Sequence, residues 1–225
     1  MKTTTLCILI IGLLSCNPSK KDTKTVNSIS KDSLVQLDSF YYDAKIDEQA
    51  KNNDFQTCNF AKLLNDPKTP KLAKDIINNT AKYSEVPLDY FDQLNSKDTL
   101  TKLFYFKVLS NSYKIADGAF AEGLGGKGYE YVEKHTKDFA SFFDNKQCFT
   151  EQDLSTWVDI VMLEFSLLGD NGSDKSMVDK YLLKLNTNCK NCTRNQNETL
   201  NKFAVKLRKS WSERQMEIKQ NTSTK

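Results

Sequence analysis

The stretch Thr150-Glu151-Gln152-Asp153-Leu154-Ser155-Thr156-Trp157-Val158-Asp159-Ile160-Val161-Met162-Leu163-Glu164-Phe165-Ser166-Leu167-Leu168-Gly169 decides the fold. Leu154, Val158, Val161, Phe165 and Leu168 recur at steps of three and four, and Trp157 widens the stripe. Thr150 followed three residues later by Asp153 reads as a helix start, and Gly169 as its stop. A helix so apolar needs other apolar faces around it, and the flanking sequence offers them. Leu100, Phe104 and Val108, with Leu103 beside them, continue towards Ile115 and predict a broad face over residues 99–121. Val132, His135, Phe139 and Phe142 repeat the pattern. Val178, Tyr181, Leu182 and Leu185 predict a shorter helix, followed by a long one through Leu200, Ala204, Leu207, Trp211 and Ile218.

Upstream, Leu34, Leu37, Tyr41 and Ala44 form one stripe, and Leu72, Ile76, Thr80 and Tyr83 another. Pro67 and Pro70 separate Phe60, Leu63 and Leu64 from the helix after Lys71, and Pro87 ends that helix before Leu88. No stretch alternates β-branched residues between turn dipeptides, and no repeat recurs at a fixed interval. The expected fold is all-α: a single irregular bundle of about seven helices over residues 31–220, with 221–225 as a disordered tail. A body of that length buries roughly 70% of its unfolded surface and can fold without metal or disulfide support.

The chain starts differently. Lys2 precedes an apolar run over residues 6–14 that closes on Leu13-Leu14-Ser15-Cys16. That run is shorter than the roughly 20 apolar residues a membrane-spanning helix needs, and its length suits the core of a signal peptide. Leu at minus three, Ser at minus one and Cys at plus one resemble the lipobox of a bacterial lipoprotein; Leu14 at minus two is bulkier than usual there. The resemblance implies a signal peptide over residues 1–15, thioether lipidation of Cys16, and a mature chain beginning at that residue. It implies a diacylglycerol on the thiol and an acyl chain on the new amine. At about 0.8 kcal/mol per buried CH₂, several chains anchor a protein stably to a membrane. Residues 16–30 read as the lipidated Cys and a flexible tether, whose fourteen residues after Cys16 are polar, nearly free of large apolar groups, and span roughly 20 Å. Asn17 is not the Asp that retains such proteins at the inner membrane under the best-known Gram-negative rule. The expected address is therefore the outer membrane, with the periplasmic face favoured over the cell surface.

Formal net charge is +3 over 225 residues, and loss of Lys2 with the signal leaves +2, spread over alternating Lys, Asp and Glu. The exception is the chain's end. There Arg194, Lys202, Lys206, Arg208, Lys209, Arg214, Lys219 and Lys225 face only Glu198, Glu213 and Glu217. Such charge reads first as a solvated helix face and second as a site for anionic headgroups or an acidic partner. Nucleic acid is not an expected partner in the cell envelope.

Five of the eight glycines fall at Gly118, Gly123, Gly125, Gly126 and Gly128. Gly123-Leu124-Gly125-Gly126-Lys127-Gly128 matches G-x-G-x-x-G literally, but a helical pattern precedes it where a dinucleotide site needs a strand and a βαβ unit. A Walker loop fails at Ala121 and Gly128. The segment is expected to be a helix C-cap and hairpin loop with Gly supplying positive φ, a candidate binding loop with Lys127 in it, and not a nucleotide site.

Apart from Cys7 and Cys16, the cysteines are Cys58, Cys148, Cys189 and Cys192, an even number that allows three pairings in an oxidising compartment. Cys189 and Cys192 suit a tight turn, whose ends lie within about 7 Å, with Lys190 and Asn191 at its corner. A Cys58 to Cys148 bridge depends on packing. A redox Cys-x-x-Cys lacks its βαβ setting. Zinc would need His135 and a distant thiol to converge, and Thr193 excludes the usual haem attachment after Cys192. No metal and no cofactor is implied.

His135, the sole histidine, lies on an apolar stripe, where a core or boundary role is the commoner outcome. No G-x-S-x-G or H-E-x-x-H occurs, and Glu151, Asp153 and Asp159 read as solvated helix positions or capping groups. No enzyme is expected. The preferred reading is a membrane-anchored binding or interaction module. The alternative is a small-ligand carrier or sensor with an interhelical pocket whose mouth is the loop over residues 118–128.

Overall fold

The computed structural model describes residues 58–82, 86–168 and 176–223. The signal, Cys16, the tether and the stripe through Leu34 and Ala44 lie outside the described residues, as do Tyr83 and Gly169. Every described element is helical. In order they are α1 (Ala61–Asn65), α2 (Lys71–Ile77), a 3₁₀ segment (Leu88–Asn95), α3 (Thr99–Ser112), a 3₁₀ turn (Tyr113–Ile115), α4 (Gly118–Lys134), α5 (Thr136–Phe142), α6 (Glu151–Leu168), α7 (Met177–Asn188) and α8 (Arg194–Ser223).

α6 is the centre. Its start is a capping box: the Thr150 amide donates to Asp153 Oδ2 at 2.8 Å, and the Asp153 amide donates to Thr150 Oγ1 at 3.4 Å. Trp157, Ile160 and Val161 are wholly buried, because α4 packs along one side of α6, α8 along another, and α3 meets it at Trp157. The Trp157 indole stacks on Phe106 at 4.5 Å, and its Nε1–H donates to Ser110 Oγ at 2.8 Å. Phe139, Phe142, Phe143 and Phe149 close around Phe106, so the heart of the bundle is a cluster of rings. Edge-to-face and stacked pairs of this kind add about 0.5–1.5 kcal/mol each beyond the area they bury.

Three predicted stripes are broken where a polar side chain competes with the helix. The one from Leu72 ends at Ile77: Asn79 takes φ 55°, and the amides of Thr80 and Ala81 turn back onto the Asp75 carbonyl, a left-handed cap. The broad face over 99–121 is two helices. The Ser112 hydroxyl donates to the Leu109 carbonyl, a 3₁₀ turn follows, and Asp117 restarts the chain by accepting the Phe120 amide at 3.0 Å. The stripe through Val132 and Phe142 breaks at His135, where the Thr136 hydroxyl donates to the Val132 and Glu133 carbonyls. These breaks, with α1 as a helix of its own, give more and shorter elements than the seven expected. α8 runs to Ser223; extending a formed helix fixes one residue per added hydrogen bond.

Candidate functional site

The glycine-rich segment was the sharpest site candidate in the sequence, and the structure overturns its reading as a loop. Gly118, Gly123, Gly125, Gly126, Lys127 and Gly128 all lie within α4. Interior amides of a helix are committed to carbonyls four residues back and cannot cradle a phosphate. The one free end of this helix is filled from within, by the Asp117 carboxylate on the Phe120 amide. The glycines serve packing. A Cβ at Gly125 would lie 2.7 Å from Leu163 Cβ and 3.2 Å from the Glu164 amide nitrogen, and one at Gly128 would collide with Ile160 Cγ2. Gly125 and Gly128 therefore let the α4 backbone approach α6 closely, and the place where a pocket mouth was expected is a helix–helix contact. Gly123 faces the Leu88 side chain, Gly126 faces Glu164, Gly118 faces open space, and Lys127 is exposed.

The four described cysteines form two disulfides, Cys58–Cys148 and Cys189–Cys192, with Cα separations of 5.3 and 5.0 Å. The first fastens the segment before α1 to the loop entering α6. There Asp153 is 7% exposed and accepts from Lys107 Nζ at 2.6 Å, while Lys107 also reaches the Cys148 carbonyl at 3.4 Å. Asp153 is thus a capping group, as its spacing predicts, but not a solvated one; its cation sits on α3, too remote in sequence to be found by pattern. The second disulfide closes the turn between α7 and α8, where the Cys192 amide donates to the Cys189 carbonyl at 3.1 Å. Immediately after it, the Thr193 amide donates to Gln196 Oε1 and the Gln196 amide to Thr193 Oγ1, a second capping box.

The basic end of the chain is paired partly along its own helix and partly with other helices. Lys202 and Lys206 meet Glu151 of α6, Arg208 meets Asp179 of α7, and Arg194, Lys209 and Arg214 pair along α8 with Glu198, Glu213 and Glu217. Glu151 and Asp179 are the carboxylates these pairs add to those of the chain's end. Lys202 bonding holds the Glu151 carboxyl below the usual carboxylate range, and Glu151 in turn raises Lys202. Asp159, half-buried with no cation beside it among the described residues, is pushed up by desolvation.

His135 is half-buried at the α4–α5 junction, its ring stacked on Tyr131 at 5.1 Å. The Tyr131 hydroxyl is buried without a hydrogen-bond partner, and its acidity is suppressed by burial and by the Asp138 charge. Among the described residues no carboxylate bonds to the imidazole, so a nucleophile–base–orienter arrangement is not assembled there. No group of three or more His, Cys, Asp or Glu among the described residues is placed to hold a metal ion, and no described helix is long and apolar enough to cross a membrane.

Sequence reasoning missed one surface. The Phe165 and Trp211 rings meet at 5.9 Å and bring the end of α6 to the middle of α8. Beyond that contact Leu167 and Leu168 on α6 and Met216 on α8 are each more than half exposed, while among the described residues Trp211 Nε1 and Gln215 Nε2, one helical turn apart, are buried donors without acceptors. The sequence signal was there: Leu167 and Met216 fall off the apolar stripes, where a polar residue is expected.

No family model, no curated protein and no solved structure matches this chain.

Proposed function

We propose that this chain is a lipid-anchored protein of the bacterial cell envelope, held at the outer membrane, whose helical body is a non-enzymatic partner-binding module. The observation that carries the reading is Leu13-Leu14-Ser15-Cys16 behind a short apolar run and ahead of a polar tether. Pairing of Cys58, Cys148, Cys189 and Cys192 in disulfides supports export, since such bonds persist in oxidising compartments. The binding reading is supported by a core filled with aromatic side chains, by glycines spent on helix contact, and by the exposed Leu167, Leu168 and Met216 beside two donors without acceptors. A tethered body of this kind meets envelope partners at high local concentration.

Two variants test the two halves separately. Cys16→Ser should move the protein from the membrane to the soluble envelope fraction; co-fractionation with membranes in detergent-free buffer would contradict lipid anchoring. Leu168→Glu with Met216→Glu should leave the helical circular dichroism and melting midpoint unchanged, because both side chains are solvent-facing. The double variant should also lose chemical cross-links to envelope partners that the wild type forms. Unchanged cross-links would remove this surface from the account.

A further inference from the structure

We propose that Cys189–Cys192 is a thiol-exchange site, with Cys192 as the sulfur attacked and a dithiol of the thiol–disulfide oxidoreductase class as co-reactant. The two sulfurs are not equivalent. Cys189 is 3% exposed beneath the end of α7, whereas Cys192 is only partly buried and lies two residues before the start of the 30-residue α8. Access thus makes Cys192 the sulfur attacked, and the amide end of the long helix, with no acidic residue in its first turn, favours the thiolate that Cys192 becomes when it is later released. The turn is also held by bonds other than its disulfide: the Cys192 amide on the Cys189 carbonyl, the Thr193–Gln196 box, and Asn197 Nδ2 donating to the Cys192 carbonyl at 3.3 Å.

The exchange balances with the co-reactant's two thiols. Its thiolate bonds to Cys192 Sγ, the Cys192–Cys189 bond breaks, and Cys189 departs with the electron pair and takes a proton from solvent. The co-reactant's second thiol gives up its proton, attacks the first thiol's sulfur, and releases Cys192 as thiolate. Two electrons pass to this chain, and the co-reactant leaves as a disulfide.

The test uses the full chain in detergent. Dithiothreitol is titrated, free thiols are alkylated, and each cysteine is quantified by peptide mass spectrometry. Cys189 and Cys192 should become alkylated at a dithiol concentration at least tenfold below that opening Cys58 and Cys148, with circular dichroism unchanged. Opening of both bridges together, of Cys58–Cys148 first, or of Cys189–Cys192 only with loss of helix would overturn the proposal. As a second arm, a thioredoxin-class protein lacking its resolving cysteine should be trapped as a mixed disulfide on Cys192 of the unmodified chain. Trapping on another cysteine, or no trapping, would also overturn it.

Discussion

Gly125 and Gly118 belong to one helix and make opposite predictions. Alanine at Gly125 gains about 1 kcal/mol of helix propensity, but its Cβ meets Leu163 and the Glu164 backbone, and overpacking of this kind costs about 1–3 kcal/mol. Gly125→Ala should therefore lower stability by up to about 2 kcal/mol in urea unfolding. Gly118→Ala meets nothing within 4 Å and should raise it by about 0.5 kcal/mol. Equal effects would mean that close approach of α4 to α6 is not what the glycines provide. Asp159 gives a prediction with a pH sign. Its carboxyl is raised above the ordinary 3.8 by burial, so ionisation in the folded state is penalised as pH rises through the carboxylate range. Asp159→Asn should stabilise the protein at pH 7 and leave it unchanged near pH 2, where both forms are neutral; the melting midpoint at the two pH values decides.

At the scale of elements, legibility depended on whether a helix carried its own start and its own stripe. α6 carried both, in Thr150 with Asp153 and in Leu154 through Leu168, and it lies where the pattern predicts. α4 was misread because glycine is poor in helix interiors and because G-x-G-x-x-G suggests a loop. Its stripe was nevertheless present: Phe120, Leu124, Gly128, Tyr131 and Val132 are its buried face, with Gly128 standing where a larger residue was expected. The breaks at Asn79 and His135 were hidden because each depends on one residue's backbone angle or a neighbouring hydroxyl, which periodicity does not weigh. The disulfides differ at this scale as well. α1 buries no residue and is held by Cys58–Cys148 and by Phe60 against Phe104. Closing a loop over a separation of 90 is worth about 4.5 kcal/mol in the chain-entropy account, against about 2 kcal/mol for a separation of 3. Thermal melts of Cys58→Ser/Cys148→Ser and Cys189→Ser/Cys192→Ser should show the larger loss in the first; the reverse order would contradict this assignment.

For the whole molecule, the candidate site was less legible than the fold because it is made by convergence. Leu167 and Leu168 lie on α6 and Trp211, Gln215 and Met216 on α8, more than 40 residues further along the chain, and the Phe165–Trp211 contact brings the two helices together there. The ion pairs from α8 to Glu151 and Asp179 offset part of the basic charge at the chain's end, a pairing that local charge counting does not reveal. The proposed membrane anchoring rests on the start of the chain. Mass spectrometry of the N-terminal peptide of the protein purified from bacterial envelopes addresses this directly. Residues 1–15 should be absent, and the chain should begin at Cys16 carrying the mass of a thioether-linked diacylglycerol. A retained leader, another N-terminus, or an unmodified Cys16 thiol would contradict the account.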